Sequence, residues 1–191
     1  AAFTGMTKLK SVTIPSKVAK VPSYTFAKCT SLSKIKFSKN MKSVASTAFL
    51  YSNRVKTFSC PKANKTYTVK KGQLTKSGKT LVLVPNSMKK ITVPSTVTTI
   101  RQKALNGSQA TSLVLPKSVK TIEKKALSAK KIKKVSLSSK NKTYKIKNNC
   151  IYRKSDGLLV AVVAKAKKIS LPSTVKVIDD GVSVMGKIST K

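Results

Sequence analysis

The side chains that could catalyse a reaction or hold a metal ion are scarce in this 191-residue chain. It has no histidine. Its carboxylates and thiols are Glu123, Asp156, Asp179, Asp180, Cys29, Cys60 and Cys150. General acid–base catalysis, structural zinc sites and activated nucleophiles need histidine or clustered carboxylates and thiols. We therefore expect a protein that is not an enzyme, with no catalytic residues, no metal site and no cofactor.

The few acidic and thiol side chains have structural interpretations. Asp179 and Asp180 precede Gly181 and are interpreted as turn residues rather than as a cation site. Cys29 and Cys60 are expected to be small buried residues, either as free thiols or, less favoured, in a pair. Cys150 is expected to be the most exposed of the three thiols.

Positive charge dominates the composition. Lysine and arginine number 41 against 4 acidic residues, which gives a net charge of +37, and only Arg54, Arg101 and Arg153 are arginine. Arginine presents the planar fork that reads base edges, whereas lysine is a hydrated point charge. The composition therefore favours bulk attraction to polyanions, or solubility, over sequence-specific nucleic-acid recognition.

A short apolar pattern recurs seven times along the chain. Each copy ends at a proline or serine, and these anchors are 22 or 23 residues apart except for two intervals of 33 and 34. The anchors are Pro15, Ser38, Pro61, Pro94, Pro116, Ser138 and Pro172. Apolar residues stand one, three and six positions before each anchor, as in L-x-x-I-x-I-P. One copy cannot bury its apolar side alone, so the pattern predicts stacked coils of a solenoid.

The spacing within one copy predicts its local structure. Val12 and Ile14 are two residues apart and would both point inward from a short strand that Pro15 ends. Stacking these strands gives a parallel sheet. Val18 and Val21 predict a second extended edge, and Phe26 is expected to close the core from a turn or short helix. The phenylalanines are accordingly expected in the core.

Two stretches match each other at an offset of 77 residues and account for the longer intervals. The sequence Asn-Lys-Thr-Tyr occurs at 64–67 and again at 141–144. Turn residues then separate two apolar runs in each stretch, which is typical of β-hairpins. We therefore predict hairpin insertions at about residues 67–85 and 144–163.

The repeats have the recurring segments LKSVTIPSKVAKV, AFTGMTKL, FAKCTSLSKIKF, ITVPSTVTTI and LVLPKSVKTI. Together with residues 67–85, these segments resemble the BspA-like leucine-rich repeats of bacterial surface proteins, and the resemblance covers essentially the whole chain. It implies a mainly β, right-handed leucine-rich-repeat solenoid with parallel stacked strands, short helical turns and the two hairpin insertions. Residues 1–191 would form this solenoid as a single domain. The resemblance also implies an extracellular location, at the bacterial cell surface or in the cell wall.

The repeat register arranges lysines in columns. Four and five residues before the anchors, in a column that begins at Lys10, we predict these polyanion-binding residues: Lys34, Lys56, Lys89, Lys90, Lys133, Lys134, Lys167 and Lys168. A second column, four residues after the anchors, holds Lys42, Lys65, Lys120, Lys142 and Lys176. Coils about 4.8 Å apart would bring neighbouring lysines close enough to repel by about 1 kcal/mol even in water.

These features favour a non-catalytic surface binding or adhesion module whose lysine-rich face binds a polyanionic glycan, a wall glycopolymer or a protein. A basic surface that serves only solubility is the simpler interpretation. A structural spacer that projects another domain, or the targeting arm of a larger surface enzyme, stays open.

The sequence also limits the partners. Few aromatic residues are left to stack on bases, so we expect only nonspecific nucleic-acid binding at low salt. No run of 18 apolar residues suggests a membrane span. Because the chain begins in the middle of the repeat pattern, we interpret it as a fragment of a longer protein.

Overall fold

The computed structural model describes residues 2–163 and 169–186, and its regular elements are β-strands. Within these ranges no helix is long and apolar enough to cross a membrane. In chain order the strands are β1 (Ser11–Thr13), β2 (Lys20–Val21), β3 (Lys34–Lys36), β4 (Ser43–Val44), β5 (Thr57–Ser59), β6 (Tyr67–Lys70), β7 (Gln73–Lys76), β8 (Thr80–Leu83), β9 (Lys90–Thr92), β10 (Thr99–Ile100), β11 (Ser112–Leu115), β12 (Thr121–Ile122), β13 (Lys134–Leu137), β14 (Tyr144–Lys147), β15 (Cys150–Arg153), β16 (Leu159–Val163) and β17 (Ser183–Met185).

The strands that precede the anchors stack in parallel, which confirms the predicted β-solenoid. Strands β1, β3 and β5 form one sheet, and β9, β11 and β13 form another. In the first sheet Val12, Ile35 and Phe58 are in register, so that equivalent positions of successive coils lie side by side. Ile35 and Phe58 are buried. The inward apolar residues of the copies in each sheet therefore build one wall of the core.

The predicted second edge is also present. Strand β2 pairs with β4, and β10 pairs with β12, in both cases in parallel. Val21, Val44 and Ile100 point into the core. Each of the coils concerned thus contributes two short strands, separated by the turn at its anchor.

The third side of the coils is made of turns, and the expected short helical turns are wrong for the described residues. Tyr24 and Lys28 have positive φ angles of 61° and 56°, which a right-handed helix cannot contain. The backbone N–H of Phe26 donates to the carbonyl of Ala48 in the next coil, at 2.9 Å. This side therefore has hydrogen bonds between coils, besides single-turn bonds within a coil such as that from the Ala27 N–H to the Tyr24 carbonyl at 3.1 Å.

Phenylalanine rings stack along this turn side. The rings of Phe3 and Phe26 are 5.2 Å apart and nearly parallel, and those of Phe26 and Phe49 are 5.6 Å apart. Phe26 and Phe49 are buried as predicted, whereas Phe3 is 45% exposed. Phe3 is exposed because the described chain has no coil on its outer side.

Antiparallel strands follow each Asn-Lys-Thr-Tyr sequence. We call residues 64–83 the first antiparallel unit and residues 141–163 the second. In the first unit β6 pairs with β7 and β7 with β8. In the second unit β14 pairs with β15 and β15 with β16, in the same order. Strand β8 then pairs in parallel with β10, and β16 with β17, so each unit connects to the coil that follows it.

The core has two main clusters of buried apolar residues. One extends from Ile14 to Leu83, and the other from Leu81 to Met185. Arg101 and Ser46 connect them: Arg101 Nη1 donates to the Val44 carbonyl at 3.0 Å, and the Ser46 hydroxyl donates to the Gln102 carbonyl at 2.9 Å. The first antiparallel unit and the coil after it thus bring the two clusters together.

The seventh copy, anchored at Pro172, differs from the pattern. Ile169 and Leu171 were expected to point inward from a strand, but both are 43% exposed and neither belongs to a strand. In the described ranges no strand ladder includes residues 169–171, so these two side chains lack the parallel neighbours that bury the equivalent residues of other copies. Lys167 and Lys168, which belong to the same copy, lie outside the described residues.

Candidate polyanion-binding surface

The predicted lysines that the structure describes are all exposed, and each lies at or just before the start of a parallel strand. They are Lys34, Lys56, Lys89, Lys90, Lys133 and Lys134. We define the strand face as the positions four and five residues before the first six anchors. Its residues are Lys10, Ser11, Ser33, Lys34, Lys56, Thr57, Lys89, Lys90, Thr111, Ser112, Lys133 and Lys134.

Within the strand face, each lysine column is interrupted by serine or threonine. Lys34 pairs in register with Ser11 on one side and Thr57 on the other. Lys90 and Lys134 both pair with Ser112, one on each side. The predicted contact between lysines of adjacent coils is therefore wrong within these sheets.

The same alternation holds one residue earlier, where the backbone bonds fix the order of the coils. The N–H of Ser33 donates to the Lys10 carbonyl, and that of Lys56 donates to the Ser33 carbonyl, each at 2.9 Å. Thr111 separates Lys89 from Lys133 in the same way, through two bonds of 2.8 Å. Within each sheet, lysines in one column are thus two strand spacings apart, about 9.6 Å. Between the two sheets, Lys56 and Lys89 belong to consecutive copies without a serine or threonine between them.

This spacing weakens the repulsion between the lysines. At 9.6 Å two charges repel by about 0.4 kcal/mol at the dielectric of water, which is half the value at one strand spacing. The distance also exceeds the Debye length of about 8 Å at physiological salt. The strand face can therefore be strongly basic without a large cost to the stacking of the coils.

The acidic residues are used elsewhere in the structure. Glu123 Oε2 accepts the N–H of Gln102 at 2.8 Å, and Asp179 Oδ1 accepts the N–H of Gly181 at 2.7 Å. The second of these bonds supports the interpretation of Asp179 as a turn residue. No strand-face position is acidic. The charge of the strand face is consequently not offset by a neighbouring carboxylate on that face.

The other two carboxylates form ion pairs. The Arg153 guanidinium donates to Asp156 and lowers the pKa of that carboxyl from 3.8 to about 2. Lys124 Nζ lies 2.8 Å from Asp180 Oδ1, which lowers the pKa of Asp180 and raises that of Lys124. In the described ranges, no three histidine, cysteine or acidic residues are grouped as metal ligands would be.

The three cysteines are free thiols. Cys29 and Cys150 are fully buried and Cys60 is partly exposed, so the expectation that Cys150 is the most exposed is wrong. Cys150 is buried because Leu159 and Val162 of β16 pack on it, together with Val175 and Val182. Burial raises the pKa of all three thiols, which lowers the fraction of reactive thiolate.

A cleft of about 860 Å³ opens beside the second antiparallel unit. Its walls are Leu137, Ser138, Ser139, Tyr144, Lys145, Ile146, Tyr152, Lys154, Ser155, Asp156, Gly157, Thr174 and Lys176. The sequence did not predict this cleft, because its walls come from four separate stretches of the chain. The available signal was the offset of 77 residues, which sets Lys145 against Thr68 and Lys154 against Ser77.

The family of this chain follows from its repeats. The model of the BspA type leucine rich repeat region matches residues 1–77 and 84–182, in six copies. The chain belongs to this family of leucine-rich repeat proteins. Curated proteins gave no match to the chain.

Solved structures resemble the fold of this BspA-type repeat chain. A leucine-rich repeat protein from Eubacterium ventriosum is 16% identical with a TM-score of 0.55. This match covers 66% of the present chain and 38% of the Eubacterium chain. The pneumococcal vaccine antigen PcpA is 17% identical with a TM-score of 0.55. This match covers 94% of the present chain and 47% of the PcpA chain. The chain therefore spans less than half the length of either structure.

Proposed function

We propose that this BspA-type repeat segment is a non-catalytic binding module of the bacterial cell surface, and that its strand face binds a polyanionic glycan or wall glycopolymer. The observation that carries the proposal is the strand face itself, where six predicted lysines are exposed on four of the coils with no acidic residue among them. A linear polyanion that runs across the coils would follow the lysine columns and meet their lysines in turn.

The chemistry of the strand face suits a sugar polymer. Ammonium groups attract phosphate, sulfate or carboxylate, and the hydroxyls between them can exchange hydrogen bonds with sugar hydroxyls. Ser33 and Thr111 already donate to the carbonyls of Lys10 and Lys89, at 3.2 and 3.4 Å, and keep their lone pairs as acceptors. A face of alternating charge and hydroxyl offers both kinds of contact along its length.

Nucleic acid fits the strand face less well. Tyr24 and Tyr51, the exposed tyrosines of the described chain, are 48% and 53% exposed on the turn side of the coils and not beside the lysine columns. Single-stranded nucleic acid is usually held by aromatic stacking next to positive charge. We therefore expect nucleic acid to bind only through its charge.

A salt titration with several ligands tests this proposal. Teichoic acid, heparin, mucin glycans and duplex DNA would each be titrated into the chain from low salt to about 0.15 M salt. We expect one of the three glycan classes to keep its affinity at the higher salt while duplex DNA loses it. Parallel loss of all four ligands would reject the proposal and favour the structural spacer.

A further inference from the structure

The two antiparallel units are equivalent parts of the fold. Asn64 Oδ1 accepts the N–H of Tyr67 at 2.7 Å, and Asn141 Oδ1 accepts the N–H of Tyr144 at 2.7 Å. The second turn of each unit is closed alike: Ser77 N–H donates to Thr66, and Lys154 N–H donates to Thr143. The side chains at matching positions can therefore be compared directly.

At three matching positions the second unit and its following coil have lysine where the first have a neutral side chain. The first unit and its following coil carry Thr68, Ser77 and Thr98. The second carries Lys145, Lys154 and Lys176 at the equivalent places. Thr98 and Lys176 correspond because their N–H groups donate to Lys79 and Gly157, at 2.8 and 3.0 Å. All three lysines line the cleft. At other places the second unit has less positive charge, with Asn148 where the first has Lys71, and Asp156 in the turn where the first has Lys79. The second unit therefore does not gain charge overall, but has lysines at the cleft where the first unit has neutral residues.

The positive charge of the lysines in the cleft wall is not neutralised by a free carboxylate there. Asp156 is the only carboxylate in its wall, and the Arg153 guanidinium pairs with it. Lys154 Nζ donates to the Asn141 carbonyl at 2.7 Å, which uses one of its three N–H groups. Lys145 and Lys176 are exposed at the walls. Three lysines thus line one open cleft with no free carboxylate in its wall.

The remaining wall has the mixture of groups that binds a sugar. Ser138, Ser139 and Thr174 supply hydroxyls, and Leu137 and Ile146 supply apolar surface. The volume of about 860 Å³ lies within the range of about 300–1,000 Å³ that is common for small-molecule sites. The wall can therefore contact both the polar edge and the apolar face of a sugar ring.

Backbone contacts hold the cleft in shape. The carbonyl of Gly157 accepts the N–H of Lys176, and Val177 in turn accepts the N–H of Leu159 at 2.8 Å. A Cβ atom on Gly157 would lie 2.5 Å from the Thr174 carbonyl oxygen, so the turn approaches this segment as closely as glycine allows. The two sides of the cleft are thereby held together.

We propose that this cleft binds one anionic sugar residue, with Lys145, Lys154 and Lys176 around its phosphate, sulfate or carboxylate group. The choice of a sugar as ligand rests on the proposed function, whereas the position of the site rests on the comparison of the two units. The strand face would hold the length of a polymer, and the cleft a charged terminal or branching unit.

Nuclear magnetic resonance with small probes tests the cleft. Glucose 6-phosphate, glucose 6-sulfate and glucuronic acid would be titrated into the isotope-labelled chain, with glucose as the uncharged control. We expect at least one anionic sugar to shift the amide signals of residues 138–157 and 174–176, with glucose causing no shift. Shifts confined to the strand face, or none with any anionic sugar, would overturn the proposal.

A triple variant provides a second test of the cleft. Lys145→Thr, Lys154→Ser and Lys176→Thr place the residues of the first unit in the second, where the fold already accepts them. We expect affinity for the anionic sugar to fall by about tenfold or more, as expected for lost charge-assisted hydrogen bonds. The matched control, Lys42→Gln, Lys65→Gln and Lys120→Gln, removes the same charge and should keep the affinity. Equal losses in both variants would overturn the proposal.

The test separates the two proposals. Polymer binding at physiological salt, measured on the same proteins, reports on the strand face, and the small-sugar shifts report on the cleft. If the triple variant does not fold, the shift map of the unaltered chain still decides the question. Polymer binding without small-sugar shifts would reject the cleft alone, and small-sugar shifts without polymer binding would reject the proposed strand-face function alone.

Discussion

The hydroxyl of Tyr144 accepts the backbone N–H of Ile122 at 3.0 Å, and Tyr67 does the same for Val44 at 3.3 Å. Val44 and Ile122 lie in the last strands of their second-edge ladders, so their N–H groups have no further strand of that ladder to bond. The tyrosines supply the missing acceptors. The Asn-Lys-Thr-Tyr sequence thus ends one ladder at the point where an antiparallel unit begins.

Replacing Tyr144 by phenylalanine tests this relationship. Tyr144→Phe leaves the buried N–H of Ile122 without its acceptor, and we expect the free energy of unfolding to fall by about 1–3 kcal/mol. Urea unfolding of the variant and of the unaltered chain would measure this difference in free energy. Tyr152→Phe is the control, because the structure shows no hydrogen bond from the Tyr152 hydroxyl to the described residues. Equal losses in the two variants would show that the hydroxyl of Tyr144 does not act as this acceptor.

Replacing Gly157 by alanine tests the close approach at the cleft. Gly157 has a φ of 70°, and a Cβ atom there would meet backbone atoms of both Thr174 and Lys176. Gly78, in the corresponding turn of the first unit, has a φ of 66°, but there the nearest atoms belong to the side chain of Lys70.

We expect Gly78→Ala to cost about 1 kcal/mol, from the left-handed backbone alone. Gly157→Ala should cost more and should also speed the amide hydrogen exchange of Lys176 and Val177. Thermal unfolding and hydrogen exchange would measure these effects. Gly157→Ala with no larger cost than Gly78→Ala would contradict the structure at this turn.

The pKa of Asp156 predicts a response to acid. Because the folded-state value of about 2 is below the usual 3.8, the Arg153–Asp156 pair stabilises the fold above pH 3.8. This contribution is lost as the pH falls from 3.8 through 2. Asp156→Asn should therefore have a lower Tm than the unaltered chain at pH 7, and the two Tm values should converge near pH 2. A constant difference in Tm over that interval would contradict the pair.

The thiols predict selective chemical modification. Cys29 and Cys150 are fully buried, and Cys60 is partly exposed. We expect Ellman's reagent to label one thiol slowly in the folded chain and all three in denaturant. Cys60→Ser should abolish the labelling of the folded chain. Labelling of Cys150 before unfolding would contradict the packing of β16 and residues 175–182 against it.

The sequence predicted the parts of the fold that depend on one short repeat. Val12 and Ile14 are two residues apart and precede a proline, and this local pattern was enough to place the parallel strands. Phe26 was harder, because its spacing suits both a turn and a helix. The positive φ angles of Tyr24 and Lys28, which decide between them, occur without the glycine that usually marks that conformation.

Contacts between distant segments were beyond sequence reasoning. The burial of Cys150 depends on Val175 and Val182, and the cleft depends on the approach of residues 174–176 to the second antiparallel unit. The alternation of lysine with serine or threonine is visible in the sequence only after the register of the coils is known. Once Ser112 is aligned with Lys90 and Lys134, the interrupted columns follow directly.

The central claim, that the strand face binds a polyanionic glycan or glycopolymer, is tested most directly by two variants of equal charge. Lys89, Lys90, Lys133 and Lys134 would be changed to glutamine in one variant. Lys42, Lys65, Lys120 and Lys142, which are also exposed but lie four residues after the anchors, would be changed in the other.

The measurement is the affinity of both variants and the unaltered chain for the ligand retained in the salt titration, at several salt concentrations. We expect the strand-face variant to bind more weakly, with the slope of log K against log salt reduced by up to about 3 if all four lysines contact the polymer. The control variant should keep nearly the original affinity and slope. Equal weakening of both variants would contradict the claim and assign the attraction to the net charge of the whole chain.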